Sequence, residues 1–472
     1  MRFRCTTVLK EFQLVLFAAC LMTSLISSTL SWTLTRSSFP GKSQRHHTKN
    51  NPVLLKSSHS EYGVQVDVDE NAKELLSLAS KYKREKKFSQ AVQTYDNALV
   101  ALPGDLEVIY QRALCLSQMG YVNEAIQGFT EANAIRQRSC DVSTHEESKK
   151  SKPSREEIYL ANVILDGRGG KEAALEIYRD CGVDSPMVAL TGVTLASLGQ
   201  TDEARKCFQQ ALLIEGGDAD YETMIHLCIS MLRLEQSQQH QTSKYNTYID
   251  ELMAKVNSSP YSHMATSWKY IYDDSKVWQE PTVHYFTFDM IQLAVNKSEL
   301  KDGLILECGV YHGKTIRMIA NSFPNDIIHG FDTFEGLPSN WFKVEKGAYS
   351  THGILPSVPN NVRLHKGLFV DTLPKFLEDH TSTSSSDQHI RFINIDCDMY
   401  SSTKDIFDSI HDRICAGTII VFDEYVGNPN WKEDEYKAFQ EAVKEYGWKY
   451  EYIGISMVSQ QAVVKITELQ QL

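Results

Sequence analysis

The sequence predicts two folded parts, an all-α domain of paired helices followed by a doubly wound, mostly parallel α/β sheet. Three observations predict it. Amphipathic helical segments recur with a period of about 34 residues between Ala72 and Gly216. From Leu304 onward, short apolar runs alternate with helical patterns, the order that builds parallel crossovers. Several of those runs end on acids, at Asp332, at Asp396 and Asp398, and at Asp423 and Glu424, where an open parallel sheet carries its site.

Length and charge set the bounds. A chain of 472 residues with 42% hydrophobic content can build two or three domains. A formal net charge of -12 argues against a phosphate-binding surface, so no nucleic-acid partner is expected. The ten cysteines are scattered, with no C-x-x-C pair and no histidines at zinc spacing. Neither a zinc site nor a dense disulfide framework is indicated.

Residues 1–32 read as a signal peptide or an uncleaved signal anchor. Arg2, Arg4 and Lys10 precede the apolar run 14–26, and Trp32 stands where an interfacial aromatic belongs. Residues 33–70 then form a stem or linker, and the later domains lie in the secretory pathway as a lumenal, secreted or type II single-pass protein. The alternative is an organelle transit peptide, because the first 60 residues are rich in serine and contain Glu11 as their only acid.

The helical region is assigned to 71–235. Leu75, Leu78, Ala79, Tyr82, Ala91, Tyr95, Ala98 and Pro103 mark one helix pair, and Ile109, Ala113, Leu116, Gly120, Ala125, Phe129 and Ala132 take matching places in the next. A polar stretch at 140–154 interrupts the array. Ile158, Ala161, Leu165, Ala174 and Tyr178 give a degenerate unit, and Val188, Gly192, Leu195, Gly199, Ala204, Phe208 and Ala211 a clearer one. These patterns resemble the tetratricopeptide repeat, in which alanine at the close approach of two helices and an aromatic four residues later fill complementary space. Such a stack offers a surface for a protein partner or substrate, or serves as a spacer or self-association arm. Residues 236–269, beginning with the polar run 236–241, are the linker. The aromatics that follow, among them Trp268, Tyr270, Trp278, Tyr285 and Phe286, read as core or as a lid over a ligand.

The C-terminal domain is assigned to 270–472. Leu304, Ile305 and Leu306 lead into Glu307, and Gly309 and Gly313 bracket a turn at which a helix begins. Asp332 closes the next strand about 20 residues on, where an acid accepts hydrogen bonds from ribose hydroxyls. The spacing Glu307-x-Gly309-x-x-x-Gly313 is neither the dinucleotide fingerprint nor a P-loop, although Lys314 and Thr315 follow. A ligand with a ribose and no polyphosphate fits, and S-adenosylmethionine is the common one. Further strands are predicted at 362–367, 390–398, 417–424, 449–456 and 461–466, with helices at 402–413 and 433–446. Asp396, Asp398, Asp423 and Glu424 then gather at one sheet edge. Like charges so close call for a cation or a proton, which makes them a candidate magnesium site able to hold a substrate hydroxyl while a carboxylate takes its proton.

The motifs ECGVYHG, FDTFEGLP, GLFVDTLP, IDCDMYSST and FDEY, in this order, resemble the macrocin O-methyltransferase family over about residues 270–466. That family comprises class I S-adenosylmethionine-dependent enzymes that methylate sugar hydroxyls with magnesium. The resemblance implies a Rossmann-like methyltransferase fold, with Glu307, Gly309 and Gly313 along the methionine and ribose of the cofactor and Asp332 on the ribose. Thr315 and Asp371 are further cofactor candidates. It also implies Asp396, Asp423 and Glu424 as metal ligands, with Asp396 or Asp398 beside the hydroxyl proton and a hydroxylated glycan or glycosylated small molecule as acceptor. Glu424 stands where bacterial members generally carry a second Asp, and everything before Tyr270 is outside the family's pattern. Two other functions fit parts of the sequence: a secretory-pathway glycosyltransferase using Asp396-Cys397-Asp398, and a repeat scaffold carrying an inactive methyltransferase domain.

Overall fold

The computed structural model describes residues 64–141, 155–168, 170–180, 185–200, scattered positions to 210, 262–271, 286–380 save 343, 389–456 and 459–470. The segment predicted to target the chain, most of the stem and the 236–241 break lie outside them. Among the described residues, no helix is long and apolar enough to cross a membrane.

The N-terminal part is a stack of helical hairpins. Its helices are α1 (Val64–Arg84), α2 (Phe88–Ala101), α3 (Leu106–Gln118), α4 (Val122–Asp141), α5 (Arg155–Arg168), α6 (Lys171–Asp180) and α7 (Ser185–Ser197), each packed on the next. Alanines let the helices approach: Ala79, Ala91, Ala98, Ala113, Ala125 and Ala132 are fully buried. At Gly128 a side chain has no room, because a Cβ there would lie 2.8 Å from the Ala113 Cβ. Phe129 fills the neighbouring space against Tyr110, ring centroids 5.7 Å apart. Asp105 caps α3 by accepting from the Val108 N–H at 3.0 Å. These are tetratricopeptide-like units, and the predicted Ala79, Ala91, Tyr95, Ala98, Ala113, Ala125, Phe129 and Ala132 are buried at their contacts, while Phe208 and Ala211 lie outside the described residues.

The C-terminal part is a seven-stranded sheet of order β3-β2-β1-β4-β5-β7-β6. Its strands are β1 (Leu304–Cys308), β2 (Ile328–Asp332), β3 (Val362–Lys366), β4 (Ile390–Ile395), β5 (Ile419–Phe422), β6 (Trp448–Ile455) and β7 (Ala462–Leu469). The first five run parallel, and β7 is antiparallel to both β5 and β6. This is the Rossmann-like class I methyltransferase topology. Both sheet faces are covered, so strand residues alternate between two cores. Leu304, Leu306 and Cys308 pack with Ile393, Ile395 and Phe422 on one side, while Ile305 packs with Phe392, Ile419 and Val421 on the other. The helices are α8 (Ser262–Lys269), α9 (Thr287–Lys297), α10 (Lys314–Ser322), α11 (Phe369–His380), α12 (Tyr400–Ile410) and α13 (Glu435–Glu445).

Inside the predicted linker, α8 docks on this domain. Ser267 Oγ accepts from the Gly427 N–H at 2.9 Å, and the Trp431 indole donates to Thr266 Oγ1 at 3.2 Å. Tyr270 belongs to the core, bonded to the Tyr452 hydroxyl and packed on Trp431 and Tyr436. Phe286 packs against Ala161, Ala174 and Tyr178 of the repeats. Tyr285 and Trp278 lie outside the described residues.

At one end of the sheet, His329 Nδ1 of β2 and His365 Nε2 of β3 are 3.1 Å apart, with His380 of α11 beside them and Phe376 against all three. Burial, then the charges of His365, His380 and Arg363, hold His329 down to about 3 from its ordinary 6.5. The unfolded chain therefore takes up the proton that the folded chain refuses. Stability from this site is whole above about pH 6.5 and falls as the pH drops toward 3, by up to about 1.4 kcal/mol per pH unit. Denaturant midpoints at pH 7.5 and 5.5 should show this loss, and His329→Gln should shrink the difference between them.

Candidate active site

The sheet order reverses between β1 and β4, and the crevice at such a switch point is where an open α/β sheet binds ligands. A cavity of about 330 Å³ lies there, at the carboxyl ends of β1, β2 and β4. Its lining includes Gly309, Thr315, Asp332, Phe369, Asp396 and Asp398.

The turn after β1 needs its glycines. Gly309 has φ +96°, and a Cβ on it would lie 1.6 Å from the Asp396 carbonyl oxygen. Backbone meets backbone at this point, because the Asp396 N–H also donates to the Cys308 carbonyl at 2.8 Å. Gly313, at φ +82°, precedes the first residue of α10. The Asp332 carboxylate organises the turn: Oδ2 accepts from the N–H groups of Val310 and Tyr311 at 2.8 and 2.7 Å, and Oδ1 from that of Phe334 at 2.6 Å. These backbone donors occupy most of its acceptor capacity, and Asp332 also lines the cavity. Burial raises the Asp332 carboxyl despite those bonds.

Glu307 is fully buried beneath the turn, outside the cavity lining. Its Oε1 accepts from Asn394 Nδ2 at 3.1 Å, and burial pushes its carboxyl well above the usual range. Gly313 is likewise absent from the lining and acts by shaping the turn. Asp371 is exposed in the first turn of α11, where its charge suits the helix dipole. Gly367, Leu368 and Phe369 line the cavity in its place.

The predicted carboxylates divide into two layers. Asp396 and Asp398 line the cavity, whereas Asp423 and Glu424 lie beneath it, each 1% exposed. Asp398 holds a left-handed backbone at φ +62°, and its buried Oδ1 has no hydrogen-bond partner among the described residues. Burial first, then the charges of Asp423, Asp434 and Asp332, raise Asp398 to about 7. Asp396 is also pushed well up, by burial and then by Asp423, Asp398, Glu307 and Glu435. Glu435, which the sequence reading did not single out, ties the two strand ends together by accepting from the N–H groups of Glu424 at 3.1 Å and Cys397 at 3.5 Å.

The glycine cradle and the cavity fit an adenosyl ligand. Of the trio Asp396, Asp423 and Glu424, Asp423 Oδ1 accepts from Gln461 Nε2 at 2.6 Å, and among the described residues no group of three His, Cys, Asp or Glu side chains is arranged to hold a metal. Tyr311, His312 and Tyr349 also line the site, as does Gln118 of the repeats. For Gln118 no local sequence signal exists, since only the packing of the two domains brings it there.

Residues 306–425 match a family model described as a methyltransferase domain. Comparison with curated proteins finds no match. Among solved structures, the calicheamicin methyltransferase CalS11 is 20% identical, with 48% of this chain and 94% of that chain covered at a TM-score of 0.30. The O-methyltransferase NovP is 18% identical, with coverage of 38% and 79% at a TM-score of 0.30. MamA from Desulfovibrio magneticus RS-1 is 16% identical, with coverage of 40% and 98% at a TM-score of 0.33.

Proposed function

We propose that this chain is an S-adenosylmethionine-dependent O-methyltransferase acting on a hydroxyl of a sugar or glycosylated small molecule. The observation that carries the reading is the Gly309 cradle, closed against the Asp396 carbonyl at the switch point of a methyltransferase-type sheet. The methyltransferase-domain match and the ordered motifs support it. The acceptor class comes from the motif resemblance.

In this reading the turn residues 309–312, Lys314 and Thr315 hold the cofactor, Asp332 fixes the turn and faces the ribose, and residues 367–369 form the adjoining wall. When bound, the cofactor supplies an electrophilic methyl on a sulfonium. Residues of this chain would then place an acceptor hydroxyl beside that methyl, and the ionised member of the Asp396 and Asp398 pair would take the hydroxyl proton. Positioning in a water-poor pocket supplies most of the acceleration, and the proton acceptor a further factor of roughly 10² to 10⁴. No step is assigned to a metal. We read residues 1–32 as a signal peptide or signal anchor that would direct the enzyme to the secretory pathway, and the repeats as a surface for acceptor or protein binding.

The test is transfer of labelled methyl from S-adenosylmethionine to hydroxylated glycans by the full chain. It is run with and without magnesium, which the resemblance implies. Label on an acceptor oxygen supports the reading. Cofactor binding without transfer to any acceptor would move the chain to the scaffold reading.

A further inference from the structure

The repeat domain meets the catalytic domain at the cofactor turn. Gln118, the last residue of α3, lines the cavity itself. Tyr121, three residues on, lies under the Arg317 guanidinium, 5.5 Å from ring centroid to carbon. Arg317 in turn donates to the carbonyls of His312, at 2.9 Å, and Gly313, so it holds the backbone of the turn from behind. Two more contacts reach lining residues. The Phe88 and His312 rings are 6.1 Å apart, and Lys86 Nζ lies 5.3 Å from the Tyr349 ring. Farther along the seam, Lys171 and Asp289 pair at 2.7 Å with both side chains largely buried.

We propose that the first two helical hairpins are a built part of the cofactor site, with Gln118 a binding residue and Tyr121 a positioning residue that acts through Arg317. This rests on the methyltransferase reading above. A neutral amide offers both a donor and an acceptor, which suits a zwitterionic amino acid or an adenosine. Burial lowers Arg317 to about 10 from 12.5, so its guanidinium gains from a ring face where little water reaches. Repeats and cofactor are then thermodynamically linked. Whatever orders one favours the other, and a partner seated on the repeats can alter cofactor affinity by the same factor that the cofactor alters the partner's.

The experiment is titration of S-adenosylmethionine into the full chain and its variants, with circular dichroism to verify folding. Gln118→Ala and Tyr121→Ala are each expected to weaken binding by about three- to tenfold, the worth of one side-chain hydrogen bond or one sheltered cation–π contact. Tyr121→Phe keeps the ring and should restore wild-type affinity. Arg179→Ala, at an exposed ion pair with Glu203 elsewhere on the repeats, should leave affinity unchanged. Added cofactor should also slow amide exchange at residues 118–124. Wild-type binding with Gln118→Ala and Tyr121→Ala both unchanged would overturn the inference alone. An equal loss in Tyr121→Phe and Tyr121→Ala would overturn the role of the ring. Failure of the wild type to bind would overturn the methyltransferase reading and this inference with it.

Discussion

Gly309→Ala is expected to abolish cofactor binding and to destabilise the chain by roughly 3 kcal/mol or more. Two costs add at this position. A left-handed backbone is imposed on an L-residue, which costs about 1–2 kcal/mol, and the new Cβ would lie 1.6 Å from the oxygen and 2.6 Å from the carbon of the Asp396 carbonyl. Both obstacles are backbone atoms, so no side-chain rotation relieves them, and the ends of β1 and β4 must separate where the cavity lies. The control is Gly347→Ala, at φ +84° with nothing within 4 Å of the added carbon. It pays the conformational term only, about 1–2 kcal/mol. Thermal midpoints and cofactor affinities of the two variants check the claim. A Gly309→Ala protein no less stable than Gly347→Ala would contradict the close approach.

The second large effect is at Asp396. Asp396→Asn should lower the turnover number by at least about 100-fold, since it breaks the carboxyl pair that shares the incoming proton, while cofactor affinity stays within a few-fold of wild type. Asp398→Asn is the informative partner, since asparagine tolerates the left-handed backbone that Asp398 adopts. Its loss therefore reports the carboxylate rather than strain. Full turnover in both variants would remove proton acceptance by this pair from the mechanism.

Much of this was legible in the sequence because it is local. Gly309 and Gly313 mark a tight turn, and apolar runs leading into acids at Glu307, Asp332 and Asp396 show where strands end, although the strand predicted over 390–398 stops at Ile395, so the parallel character and the ligand edge follow. Buried alanines at helical spacing likewise announce close-packed hairpins. What escaped depends on depth and on distant packing. Asp371 lies near the right motif but one turn into a helix, at the surface. Asp423 and Glu424 end the right strand but sit below the cavity, where Gln461 and Glu435 bond to them or their backbone. Periodicity within an element cannot show this layering, which the antiparallel return of β7 and the start of α13 create. Gln118 is the extreme case, placed by contact between two domains.

We propose the cavity at the β1/β4 switch point as an S-adenosylmethionine site. Isothermal titration of the full chain with S-adenosylmethionine, against UDP-sugars under the same conditions, tests it most directly. Saturable binding of S-adenosylmethionine, lost in Gly309→Ala and absent for the UDP-sugars, is the predicted result. Binding of a UDP-sugar alone would contradict it and assign the Asp396-Cys397-Asp398 segment to a glycosyltransferase.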